Sequence, residues 1–134
     1  MLNFYRLRQD YLSFKGTERL DLINRLSTNE VNSLEKFGTC KTILTSDKGR
    51  IIDLLTLYNL GDIIFVSCSF NNAEPVVAHL DKYTIMDDFT VKNLSGTHET
   101  ILFTGNSSAE FVSRFAGINT GSADDKNVFC YKRS

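Results

Sequence analysis

Apolar positions recur along this chain with two periods. From Phe4 to Phe14 the pattern is strand-like, with Tyr11, Leu12 and Phe14 ahead of a Lys15-Gly16 turn. Thr17 then stands where a helix N-cap is needed. Leu20, Ile23 and Leu26 follow at helical spacing. Ser27, Thr28 and Asn29 stop that helix and offer a second cap, for a short turn holding Val31 and Leu34 that Gly38 ends. Strands are predicted from Cys40 to Thr45 and from Arg50 to Asn59. Between them Ser46-Asp47-Lys48-Gly49 reads as a tight hairpin loop, with Gly49 where a positive φ is needed.

After a Leu60-Gly61-Asp62 turn, Ile63 to Cys68 is rich in β-branched and aromatic residues and predicts a third strand of this group. Asn71 or Asn72 caps the next helix, with Pro75 tolerated in its first turn and Val76, Val77, Leu80 and Tyr83 as its buried stripe. Asp87-Asp88 breaks the chain before strands at Phe89 to Leu94 and Thr100 to Thr104, which Gly96 separates. A helix follows with Phe111, Val112 and Phe115 on one face, ended by Gly117. Asn119 to Lys126 is a polar loop, and Val128 to Tyr131 a last short strand. The order β-α-β-β-β-α-β-β-α-β predicts an α+β fold, an antiparallel sheet with helices packed on one side.

The chain is 134 residues long and 42% hydrophobic, enough for one core. With 15 basic and 16 acidic residues the net charge is -1, which gives no electrostatic footprint for nucleic acid. No apolar run is long enough to span a bilayer, and the start, Met1 to Arg6, lacks the pattern of a secretory signal. Cys40, Cys68 and Cys130 are isolated and odd in number, and neither histidine lies near them in sequence. They read as small buried apolar residues of a cytoplasmic protein rather than metal ligands. His79 is expected half-exposed on its helix and His98 in a turn. Gly105-Asn106-Ser107-Ser108 lacks the lysine of a phosphate loop and reads as a helix cap.

Alternation along the second hairpin strand puts Ile51, Asp53, Leu55 and Leu57 on one face and Ile52, Leu54, Thr56 and Tyr58 on the other. The segment Gly49 to Tyr58, with Arg25-Leu26-Ser27-Thr28-Asn29-Glu30-Val31 upstream, resembles the folate-binding core of the glycine-cleavage T-protein family, the aminomethyltransferases and their YgfZ-type relatives. The resemblance runs from about Arg6 to Phe115. It implies the folate-binding aminomethyltransferase fold, with residues 1–134 as a single domain matching the N-terminal portion of the family and the C-terminal half absent. The aminomethyltransferases carry two successive aspartates on this strand, and the second does the chemistry. Here they correspond to Asp53 and Leu54. Leucine neither accepts a proton nor holds a cationic nitrogen, so the resemblance assigns no catalytic residue.

The implied cofactor is tetrahydrofolate, bound weakly. Its implied contacts are Leu54, Thr56 and Tyr58, with Lys41 where the family often has tyrosine and Ser67 where it has asparagine. Asp53 points to the opposite face and is expected to pair with an Arg or Lys or to cap a neighbouring turn. The early start resembles the YgfZ-type relatives, folate-dependent factors in iron–sulfur protein maturation. Phe129-Cys130-Tyr131-Lys132, however, lacks the flanking residues of their Lys-Gly-Cys-Tyr signature. The expected function is therefore non-catalytic, YgfZ-like tetrahydrofolate binding. The alternatives are an aminomethyltransferase-like enzyme and a structural subunit that has lost folate binding. Expected partners are folate and a second copy or partner subunit, with no nucleic acid and no membrane.

Overall fold

A computed structural model of the chain describes residues 2–116. The predicted strands at Val128 to Tyr131 and the polar loop before them lie outside the described residues, as do Gly117 and Cys130. The chain divides into two compact units. The larger, Arg8–Glu99, carries the segments singled out above.

Five antiparallel strands form its sheet: β2 (Gln9–Lys15), β3 (Thr39–Thr45), β4 (Ile51–Asn59), β5 (Ile64–Ser69) and β6 (Thr90–Asn93), in the spatial order β3-β4-β5-β2-β6. The smaller unit holds β1 (Asn3–Leu7), paired antiparallel with β7 (Thr100–Thr104), and α3 (Ser108–Ala116). In it the Phe103 ring packs against Phe4 and Phe111, with centroids 6.4 and 5.2 Å away.

The predicted single strand from Phe4 to Phe14 is two strands in two sheets. The ladder of β2 with β5 begins at the Gln9–Ser69 pair, because β5 is only 6 residues long. Residues Asp10 to Phe14 are buried on both faces between β5 and β6, whereas Phe4 and Tyr5 stay exposed. A long run carrying aromatics and leucines does not reveal a change of partner midway.

Helices α1 (Arg19–Leu26) and α2 (Ala73–Tyr83) cover one face of the five-stranded sheet. Leu22 and Ile23 of α1, with Val76 and Leu80 of α2, pack with Leu12, Phe14, Leu44, Leu55, Leu57, Ile64 and Val66 of the strands. The period-2 pattern of β4 follows directly: Asp53, Leu55 and Leu57 are buried, and Leu54 is exposed between them. Gly49 takes the expected positive φ, +71°, closing a loop in which the Ser46 N–H donates to Arg50 O and the Gly49 N–H to Ser46 O.

Two helix starts differ from expectation. The N-cap position of α1 is Glu18, because the Thr17 N–H and hydroxyl both donate to Asp88 Oδ2, each at 2.9 Å. Asn72 does occupy the N-cap position of α2, but its side chain is engaged elsewhere. The Asp10 carboxylate accepts the Ala73 N–H instead, at 3.1 Å.

The Ser27-Thr28-Asn29 segment does more than stop α1. Ser27 Oγ donates back to Ile23 O at 2.7 Å. The Thr28 N–H then donates to Ile43 O, Thr28 Oγ1 accepts the Ile43 N–H, and the Asn29 amide groups donate to Thr42 Oγ1 and Lys41 O. These bonds occupy the outer edge of β3, which would otherwise present unpaired backbone groups. They also hold in place the backbone of Lys41.

No described helix is long and apolar enough to cross a membrane, and no described group of three or more His, Cys, Asp and Glu could hold a metal ion.

Candidate functional site

The face of the sheet opposite the helices carries the predicted pocket positions. Strand register places Lys41 of β3 opposite Thr56 of β4, Thr56 opposite Ser67 of β5, and Ser67 opposite Tyr11 of β2. These four form one row across the sheet, since residues directly opposite share a face. The neighbouring row runs Thr39, Tyr58, Phe65, Ser13.

Over the first row lies an open cleft of about 340 Å³. Lys41, Leu54, Thr56 and Ser67 line it, together with Arg8, Gln9, Cys68, Ser69 and Phe70. Four of the five residues that the resemblance singled out are thus brought together. The fifth, Tyr58, lies outside the lining. Its ring packs on Phe65, with centroids 6.1 Å apart. Burial pushes its phenol above the ordinary value, and the nearby Ser67 hydroxyl offsets part of that rise. Phe65 in turn stacks on Tyr11 at 5.5 Å and meets the His98 ring at 4.8 Å. His98 is therefore not simply a turn residue: its loop covers this end of the face. The Leu94 N–H donates to Tyr11 O, and Ser95 Oγ accepts the Tyr11 N–H.

Leu54 projects into the cleft and is 49% exposed. Asp53 points the other way and is 5% exposed. Its carboxylate accepts the Ser69 N–H at 2.9 Å, the Ser69 hydroxyl at 2.7 Å, the Asn72 side-chain amide at 2.9 Å and its own neighbour's N–H, that of Leu54, at 2.7 Å. Asn72 also donates to Ile52 O. Of the two expectations for Asp53, a turn cap is what forms. It fastens the turn between β5 and α2, where Asn71 takes a left-handed φ of +63°. Among the described residues no Arg or Lys pairs with it. Asp53 is absent from the cleft lining and contributes no acid to it.

Among the described residues no Asp or Glu lines the cleft, whereas two cations do, Arg8 and Lys41. The Arg8 guanidinium lies over the Phe70 ring, 4.8 Å from its centroid. Arg8, Gln9 and Phe70 were missed by sequence reasoning. Gln9 reaches the cleft because it pairs with Ser69 across the sheet, a pairing of positions 60 residues apart that local pattern does not encode.

No family model matches the chain. Its structure is similar to that of the glycine cleavage system aminomethyltransferase T from Bartonella henselae, with a TM-score of 0.74 over 87% of this chain at 17% identity. The fold is that of an aminomethyltransferase T. The chain spans about a third of that protein, 32% of its length. The T-protein fold expected from residues 25–31 and 49–58 is therefore present, with the helices on one face and the cleft on the other.

Within this T-protein fold, Cys68 sits on β5 between two buried carboxylates. Burial first, then Asp53 and Asp10, push its thiol up to about 12. A thiol this basic carries almost no thiolate at neutral pH. In peptide mapping after iodoacetamide treatment at pH 8, Cys68 should stay unlabelled in the native protein and label fully in guanidinium chloride. Native labelling at a free thiol's rate would show that β5 opens readily.

Proposed function

We propose that this chain binds a reduced folate in the cleft over Lys41, Leu54, Thr56 and Ser67 and does not transfer a one-carbon unit. The observation that carries this reading is the direction of two neighbouring side chains. Leu54 faces the cleft and Asp53 is turned away and bonded on the opposite side. Proton transfer needs an acid or base within hydrogen-bond reach of the reacting atom. Among the described residues the cleft lining contains no carboxylate to do this, and leucine offers only an apolar surface suited to the flat side of a ring.

The size of the cleft is at the low end for ligand pockets. Part of the folate would extend beyond it, and a second copy or a partner subunit would complete the enclosure. Weak affinity for the isolated chain follows. The finer reading, a YgfZ-like role in iron–sulfur protein maturation, is supported by the T-protein fold combined with a leucine at the transferase acid's position. A cytoplasmic location goes with it, supported by Cys40 and Cys68, both unbridged.

The test is a thermal-shift titration with tetrahydrofolate and its 5-formyl derivative at two protein concentrations. A ligand at 100 times its dissociation constant stabilises by about 2.7 kcal/mol, on the order of 10 °C in Tm for a chain of this size. A saturable rise is expected with no detectable methylene transfer to tetrahydrofolate from an aminomethyl donor. Absence of any shift at either concentration would overturn the folate reading, and measurable transfer would overturn the non-catalytic one.

A further inference from the structure

We infer that Arg8 and Lys41 make the cleft an anion-selective site, with Arg8 held beside it by Phe70 to receive a carboxylate or phosphate group. The inference rests on the ligand-binding reading above and adds the class of group that reaches the cleft's two walls.

Three observations carry it. The first is charge: the lining holds a guanidinium and an ammonium, and among the described residues no acid. In a cleft with no acid to balance them, two cations favour a negative ligand. The second is pre-organisation. The Arg8 guanidinium carbon lies over the Phe70 ring, 4.8 Å from its centroid, a cation–π contact that holds the side chain beside the cleft. The N–H donors lie in one plane and suit a bidentate anion. No carboxylate among the described residues takes them, nor the Lys41 ammonium: the ion pairs described involve Arg25 and Arg114.

The third is placement. Lys41 lies on β3 and Arg8 immediately before β2, on opposite sides of β4 and β5. Three strand spacings across the sheet and the three residues from Tyr11, in Lys41's row, back to Arg8 put their backbones about 17 Å apart. Both side chains are long and line the same cleft as Thr56 and Ser67, the middle of the row. The Thr56 hydroxyl there adds a neutral donor, and Leu54 with the exposed face of Phe70 supplies the apolar side. The arrangement fits a ligand with a flat apolar part and a terminal acid. A small cationic substrate, such as an aminomethyl donor, is disfavoured by the same charges.

The experiment compares 5-formyltetrahydrofolate, which ends in carboxylates, with 6-methyltetrahydropterin, which carries the ring without any. Binding is followed by calorimetry and by amide shifts of the isotopically labelled full chain, with inorganic pyrophosphate as a third probe. Arg8→Gln and Lys41→Gln should each weaken 5-formyltetrahydrofolate about tenfold and leave 6-methyltetrahydropterin unchanged. Phe70→Leu should weaken the same ligand by releasing Arg8. Raising the salt concentration should weaken the carboxylate-bearing ligand alone.

Equal losses for both pterins, or none for either, would overturn the anion site while leaving folate binding intact. If neither pterin binds, the folate reading fails. In that case saturable pyrophosphate shifts at Lys41 and Gln9, abolished by Arg8→Gln, would still support the anion site, and their absence would end it. All three variants sit at exposed positions, and unchanged circular dichroism checks that each one folds.

Discussion

Gly16→Ala should destabilise the protein by roughly 3 kcal/mol or more, lowering Tm by on the order of 10 °C. Two independent penalties act at this position. The backbone has φ +111°, a conformation that L side chains rarely adopt. A Cβ added there would also stand 2.0 Å from the Asp88 carbonyl oxygen and 2.6 Å from its carbon. Backbone atoms cannot rotate away as a side chain can, so the whole 87–89 turn would have to move. That turn is held by a set of bonds to residues 16–18. The Glu18 N–H donates to Asp88 O, the Thr17 amide and hydroxyl donate to the Asp88 carboxylate, and the Asp88 N–H donates to Glu18 Oε2. Phe89, 8% exposed and packed on Phe14 at 5.3 Å, would lose its place in the core. Urea unfolding of the two proteins side by side measures the difference as a shift in midpoint. A loss below 1 kcal/mol would mean that residues 16 and 88 do not approach as described.

Asp53→Ala should cost about 3 kcal/mol, and Asp53→Asn nearly as much. The alanine variant strands the Ser69 N–H and the Asn72 side-chain amide, which have lost their part-buried acceptor. The asparagine variant keeps the shape but replaces one accepting oxygen with an N–H₂ group. That group would face donors, since three of the four bonds come from N–H groups and the fourth from the Ser69 hydroxyl. The asparagine variant is the sharper test, because it separates the carboxylate's acceptor capacity from its volume. In both variants the turn before α2 should loosen, seen as faster amide exchange from Ser69 to Ala73. Folate affinity measured on the folded fraction should change far less than stability does. If instead stability were unaffected and ligand binding abolished, Asp53 would belong to the cleft and the assignment of its side chain to the helix-covered face would be wrong.

These two residues also show how far local pattern reaches. The Lys15-Gly16 turn is legible as a turn, but nothing local announces the approach of Asp88, 72 positions away. Likewise, alternation correctly turns Asp53 away from Leu54. Its acceptors' partners come from Ser69 and Asn72, 16 and 19 residues further on. Thr17 is a reasonable N-cap by residue type, and it loses that role only because a distant carboxylate outcompetes the helix's own N–H groups for its hydroxyl.

The pocket positions divide the same way. Leu54 and Thr56 follow from period-2 alternation on one strand. Lys41 joins them because a short hairpin with Gly49 sets the register between neighbouring strands. Ser67 joins through the next antiparallel pairing. Arg8, Gln9 and Phe70 come from segments whose adjacency is set by the insertion of β2 between β5 and β6, after a long excursion of the chain.

By itself, then, the sequence determined the element types among the described residues, the hairpin, the glycine conformation at position 49, the faces of β4 and the absence of an acid at Leu54. These depend on neighbouring side chains and on the steric limits of single residues. Only the tertiary structure decided that Phe4 to Phe14 serves two sheets, that Asp10 and Asp53 secure the start of α2, and that Arg8 on Phe70 stands across the cleft from Lys41. Those outcomes depend on which strands lie side by side and on which buried polar groups find partners. They are settled by the burial and hydrogen-bonding of the whole unit at once, and no window of adjacent residues contains that information.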